Sequence, residues 1–227
     1  MLHDINLKDI QMKKIVCAFL LLPHFIVTMS QSARPLTVSD EFCSALLYKD
    51  INKAKELIDE KGVSVHELIK GKTPIMHAAS VSGNQWMISL LYLRGASINQ
   101  TNDDGENALF TASDSAIIKY LLDAGIYVNQ KKYLGRTALM SRVTLSESFK
   151  NILPLFIAAK ADLNIQDEFG DTVAIRAVMF ENAAGLRALM DAGADLSIRN
   201  NQGKTALDIA KEIDDKAAIK IIESRTK

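Results

Sequence analysis

One figure returns five times along the chain and limits what it can fold into. It reads "GKTPIMHAA" from Gly71, "GENALFTAS" from Gly105, "GRTALMSR" from Gly135, "GDTVAIRAV" from Gly170 and "GKTALDIAK" from Gly203. The Thr or Asn of each copy stands at 73, 107, 137, 172 and 205, in steps of 34, 30, 35 and 33 residues, a mean of 33. A period of that size marks one supersecondary unit that cannot bury its apolar face alone and must stack on its neighbours.

Each residue type in the figure has a physical reason. A threonine at a helix start offers an oxygen to free backbone N–H groups, and Pro74 occupies a first turn that needs no donor. Ala78 and Ala79 keep one helix face thin, so a neighbouring unit can approach closely. A second apolar-periodic segment follows, with Met87, Leu90 and Leu91 in one copy and Ile117, Ile118, Leu121 and Leu122 in the next. It ends in "RGASIN", "DAGIYVN", "AKADLN" or "AGADLS". Gly95, Gly125 and Gly193 there permit a left-handed residue. Lys160 takes that place in one copy, at a cost of about 1 kcal/mol.

These units resemble ankyrin repeats, a turn plus two antiparallel helices with a Thr-Pro-Leu-His-x-Ala signature. "TPIMHAA", Thr73 to Ala79, is the best copy, with Met76 where the family usually has histidine. The resemblance covers Asp40 to the C-terminus. It implies an all-α fold, an ankyrin-repeat α-solenoid of helix–turn–helix units with β-turn fingers. About six repeats are expected, including caps, over 40–70, 71–104, 105–134, 135–169, 170–202 and 203–227. The first unit lacks the Thr-Pro turn, which suits a cap. The third is a few residues short and the fourth carries extra residues around "VTLSESFKN", so regularity should fail there.

Residues 1–33 differ in character. Lys13 and Lys14 precede the apolar run "IVCAFLLLPHFIVTM", and "SQSARP" follows, the pattern of a secretory signal peptide. A spanning helix needs about 20 mostly apolar residues, so an uncleaved anchor is the alternative of lower weight. Met12 offers a second possible start; cleavage is placed after Ser30, Ser32 or Ala33, with 34–39 a short linker to the repeats at 40–227. Cys17 would leave with the signal, and Cys43, in "EFCSALLY", reads as a small buried hydrophobe. Export to the periplasm or outside the cell is the expected localisation, with no membrane association of the mature form.

Catalytic motifs do not emerge. The sequence has no G-x-S-x-G elbow, Walker loop, G-x-G-x-x-G or H-E-x-x-H. His66, His77 and Glu67 could be combined into a metal site, but two surface or groove histidines are the simpler reading. "NDDGEN" reads as a turn, not a calcium loop. No enzyme activity and no cofactor are expected. Lys plus Arg equals Asp plus Glu at 27 each, which gives no basis for nucleic-acid binding.

In the ankyrin family, partners are held by residues around the finger glycine and by the first helices. Carried over, the resemblance implies a partner-binding set of Ile69, Lys70 and Lys72; Asp103, Asp104 and Glu106; Tyr133, Leu134 and Arg136; Glu168, Phe169 and Asp171; and Asn201, Gln202 and Lys204. Tyr133, Leu134 and Phe169 are large apolar residues where Asp and Asn are usual, and an apolar tip beside an arginine suits an interface anchor. The expected function is an exported, monomeric, non-catalytic module that binds a protein. Alternatives are a regulatory subunit or inhibitor of an enzyme in the same compartment, and a secreted effector acting on a host protein.

Overall fold

The computed structural model describes residues 36–144 and 146–224. The signal-peptide and start-site expectations fall on residues outside that range. From Val38 onward the chain forms one compact unit. Twelve α-helices lie among the described residues, in six pairs. The first helix of each pair is α1 (Val38–Tyr48), α3 (Pro74–Ala79), α5 (Ala108–Thr111), α7 (Ala138–Arg142), α9 (Val173–Met179) and α11 (Ala206–Glu212). The second is α2 (Ile51–Asp59), α4 (Gln85–Leu93), α6 (Ser115–Asp123), α8 (Ser146–Ala158), α10 (Ala183–Asp191) and α12 (Lys216–Glu223). Each first helix packs on the next, forming an inner row, and on its own partner behind. Among the described residues, extended pairing is confined to two isolated bridges. The fold is therefore the all-α solenoid that the repeat predicts.

The periodic Thr/Asn does what the spacing predicts. Thr73, Asn107, Thr137, Thr172 and Thr205 each cap a first helix, their side-chain oxygens accepting from a backbone N–H inside the first turn. Ala78 and Ala79 are wholly buried, as are Met87, Leu91, Ile117 and Leu121 on the second helices. Apolar burial between neighbouring units is the main stabilising term.

The irregular units also appear where expected, with a repair not visible in the sequence. Helix α5 has only four residues, and Ala112 leaves it in an extended conformation. Its neighbours take over the loose ends. Ser113 donates its backbone N–H to Ala79 O, and Thr111 Oγ1 donates to Met76 O. From the other side, Arg142 Nη2 donates to Leu109 O and Ala112 O, both at 2.7 Å. Helix α8 is the longest, at 13 residues.

Lys160 does occupy the left-handed position, with φ 59° where Gly193 has 92°. Replacing Lys160 with glycine should stabilise the array by about 0.5–1 kcal/mol, once the greater freedom of glycine in the unfolded chain is subtracted. A urea midpoint equal to that of the wild type would show that the strain is relieved elsewhere.

The histidines separate. His66 is exposed, but His77 is 6% exposed, contrary to the surface-or-groove reading. Its Nε2 donates to Ile69 O at 2.7 Å, which leaves Nδ1 facing Cys43 Sγ at 3.8 Å. Cys43 is itself buried, as the apolar context suggested. Burial lowers the His77 pKa, and the charges of Lys72 and Lys70 add to the effect against the Ile69 bond. Below the ordinary imidazole value of 6.5, the unfolded chain takes a proton that the native state refuses. Stability from this group is thus full above that pH and falls as the pH drops through it. Asp171 has a raised pKa and the opposite sign, so the difference between wild type and His77→Gln isolates the histidine. Between pH 6.5 and 5 the wild type should lose stability faster than the variant in urea titrations, and parallel curves would refute the assignment.

Candidate functional site

Between the helix pairs lie five fingers, and four of them are zipped together by main-chain hydrogen bonds. Tyr133 N donates to Asp104 O at 2.8 Å, Glu168 N to Leu134 O at 3.0 Å, and Asn201 N to Phe169 O at 3.0 Å. Inside a finger, the first residue closes the turn. Asn102, Asp167 and Asn200 each accept two backbone N–H groups on one side-chain oxygen, holding the residues on either side of the finger glycine. Lys132 takes this place in the third finger and cannot do so; there Leu134 adopts φ 65°. A left-handed leucine costs about 1–2 kcal/mol. The first finger differs again, with Lys70 and Gly71 both at positive φ between paired Ile69 and Lys72.

The implied binding residues do not share one environment. Ile69 joins the core, and Lys70 forms an ion pair with Asp40 at 3.3 Å. Lys72 is half-buried, Asp103 and Asp104 are exposed, and Glu106 is tied to Lys132 at 3.0 Å. Tyr133 stands out at 72% exposed, while Leu134 is half-buried beside it. Glu168, Asn201 and Gln202 are exposed at the tips. Phe169, Arg136, Asp171 and Lys204, by contrast, converge on a single place.

That place is a cleft of about 710 Å³ under the last two fingers, floored by α9 and α11. Its walls combine Phe169, Asn200, Asn201, Gln202 and Lys204 of the fingers with Arg176, Met179, Ile209, Glu212 and Ile213. Four large apolar residues are exposed around it: Phe169 at 51%, Met179 at 49%, Phe180 at 47% and Ile213 at 45%. Met179, Phe180 and Ile213 sit at the C-terminal ends of inner helices, Met179 as the last helical residue and the other two as caps.

At the root of the cleft two arginines share one acid. Asp167 Oδ2 lies 3.6 Å from Arg136 Nε and 3.5 Å from Arg176 Nη1, while Oδ1 is spent on the N–H groups of Phe169 and Asp171. Each guanidinium lies over an aromatic ring: Arg136 is 5.9 Å from the Phe169 centroid and Arg176 is 5.4 Å from that of Phe180. Such stacking holds the planar group in place and favours its charge. Nε of both arginines is buried without a hydrogen-bond partner. Burial, then the charge of Arg136, lowers the Arg176 pKa, although arginine stays protonated near neutrality. Burial raises that of Asp171, whose Oδ1 accepts from Asn200 Nδ2 at 3.0 Å. The arrangement suits binding through hydrogen bonds, charge and apolar contact.

Comparison with known proteins agrees with the fold. The family model for ankyrin repeats (three copies) matches residues 75–146. Alpha-latrotoxin-Lg1a of Latrodectus geometricus is 27% identical over 173 residues, 74% of this chain. Serine/threonine-protein kinase 12 of Arabidopsis thaliana is 28% identical over 109 residues, 47% of this chain. The chain spans only 12% and 23% of the lengths of those two proteins. Among solved structures, the ankyrin repeat protein EF0377 aligns with a TM-score of 0.70 at 26% identity, covering 83% of this chain and 98% of that one. A chain from the Bd0816 predatory endopeptidase of Bdellovibrio bacteriovorus in complex with immunity protein Bd3460 aligns with a TM-score of 0.69 at 26% identity, covering 81% and 97%.

Proposed function

We propose that this chain, an array of ankyrin repeats, is an exported, non-catalytic protein that binds a protein partner through the fingers and the cleft beneath the last two. One observation carries the reading: four exposed apolar side chains surround buried Arg176 and half-buried Arg136, whose Nε atoms are both buried without a hydrogen-bond partner. An apolar cluster rimmed by polar groups, with arginine and aromatic residues at its centre, has the composition of an interface hot spot. Export rests on the basic and apolar pattern of residues 1–33. N-terminal sequencing of the protein from its native cells should find a new terminus near residue 34, and an intact Met1 or Met12 would sink that part.

For binding, the tagged full chain should capture one protein stoichiometrically from the exported fraction. A Phe169→Ala/Met179→Ala/Ile213→Ala variant should lose it, while Tyr133→Ala separates the fingertip contribution. Equal retention by wild type and triple variant would remove the cleft from the interface.

The likeness to a chain from an endopeptidase–immunity protein complex favours one narrower reading, in which the partner is an enzyme of the same compartment and the array regulates it. Adding the array to the captured partner should then change its activity or lifetime. A partner indifferent to the array in both respects would leave simple binding as the function.

A further inference from the structure

We propose that the cleft takes an acidic side chain from an extended segment of the partner protein, its carboxylate between Arg136 and Arg176 and an adjacent apolar side chain on Met179 and Ile213. The inference rests on the binding function above and specifies the chemistry of the bound segment.

The donors are the starting point. A guanidinium carries five N–H donors and no acceptor. Arg176 is 6% exposed, yet among the described residues its only side-chain hydrogen bond is the 3.5 Å contact of Nη1 with Asp167. Arg136 meets Asp167 only at 3.6 Å. Among the described residues no other carboxylate lies within ion-pair distance of either group. Asp167 cannot supply more, because its second oxygen is already occupied by the finger backbone. The two Nε donors are buried and unpaired, which is costly, and a planar carboxylate is the acceptor that matches the forked geometry of the guanidinium groups lining the cleft.

The surroundings select the source of that carboxylate. Asp171 lines the cleft beside the arginines, so a polyanion such as nucleic acid would meet repulsion where one carboxylate would not. Lys204 is already bound to Glu212 at 2.5 Å and adds no free positive charge. Exposed Met179 and Ile213 continue the cleft as apolar wall, far more than a small inorganic anion would cover. The combination fits a peptide segment in which Asp or Glu stands beside an aliphatic or aromatic residue.

The test uses the full chain, immobilised, and a random-heptapeptide phage library. Selection should enrich Asp or Glu next to Leu, Ile, Met or Phe. Synthetic copies of the enriched peptides should lose about tenfold in affinity when that acid becomes its amide, and a similar amount when Arg136→Gln replaces the receptor side. The two losses together should be smaller than their product, the sign of direct contact. Circular dichroism checks that Arg136→Gln is folded. If it is not, exposed Ile213→Glu serves instead, because a fixed negative charge in the cleft should displace the same peptides. Selection without acidic enrichment, or amide peptides binding within twofold of their acids, would overturn the proposal. So would an oligonucleotide competing as well as the peptides do. Because capture of the native partner is scored separately, a failed selection beside a successful capture would reject this chemistry and leave the binding function standing.

Discussion

Substituting alanine for Gly170 should cost about 3 kcal/mol or more and release the last helix pair from the array. Gly170 has φ +76°, where a side chain is strained, but the larger obstacle is space. A Cβ there would lie 2.6 Å from Asn201 N and 2.9 Å from Asn200 Cα, both main-chain atoms of the next finger. Those atoms cannot rotate away. They are held by Asn201 N donating to Phe169 O at 3.0 Å and by the turn that Asn200 closes. The methyl must therefore push two fingers apart, with losses typical of overpacking added to the backbone strain. Gly203 supplies the control. It has φ +74° and nothing within 4 Å of its would-be Cβ, so Gly203→Ala should cost only about 1 kcal/mol of conformational strain. Hydrogen exchange should show α11 and α12 losing protection in Gly170→Ala while α1 to α6 keep theirs, because stability passes only between neighbours. Equal urea midpoints for the two variants would mean that the fingers separate without cost and that the ladder contributes little.

That contrast marks the limit of what the sequence discloses. The position of Gly170 is legible from its place two residues before Thr172, and so is its left-handed turn. Its contact with Asn200 and Asn201 is not, because 30 residues separate them and only stacking brings them together. The same division holds throughout. Helix starts were readable because Thr and Asn caps act on their own first turn. The roles of Asn102, Asp167 and Asn200 were missed, although polar residues that fold back onto a turn have a local chemistry that could have flagged them. Binding residues carried over by family resemblance came from the fingers alone. That reached Arg136, Phe169, Asp171 and Lys204 but omitted Arg176, Met179 and Ile213, which line the cleft, and Phe180, whose ring lies against Arg176. A usable signal was present for three of these: Met179, Phe180 and Ile213 are large apolar residues past the end of the buried helical face. Arg176 gave none, since an arginine in an otherwise apolar helix is informative only when its acid, nine residues away, is seen beneath it.

Arg142 is a second position on which the cohesion of the array depends. In a regular helix Leu109 O would accept from the amide four residues on, but Ser113 N instead donates to Ala79 O. Ala112 O lies past the end of the four-residue helix. Leu109 and Ala112 are 0% and 4% exposed, so both carbonyls depend on Arg142 Nη2. Burial lowers the Arg142 pKa, the mark of a charge taken from water to serve these acceptors. Arg142→Met keeps much of the apolar stem and removes the donor, leaving two buried acceptors unsatisfied; about 2–4 kcal/mol should be lost. The cost falls between the third and fourth units, where the array divides into two blocks of three. Three units are near the least that a repeat array needs to fold, so the blocks should begin to unfold separately. The unfolding transition should then broaden, with a lower apparent m-value and not merely a lower midpoint. Arg142→Lys retains a charge and a donor, but a single ammonium reproduces the shared contact less well, and its stability should fall between the two. Because Arg142 does not line the cleft, the folded fraction of Arg142→Met should bind its partner with wild-type affinity. A midpoint within about 0.5 kcal/mol of wild type, the usual range for an uninvolved surface side chain, would show that the short third unit needs no such brace.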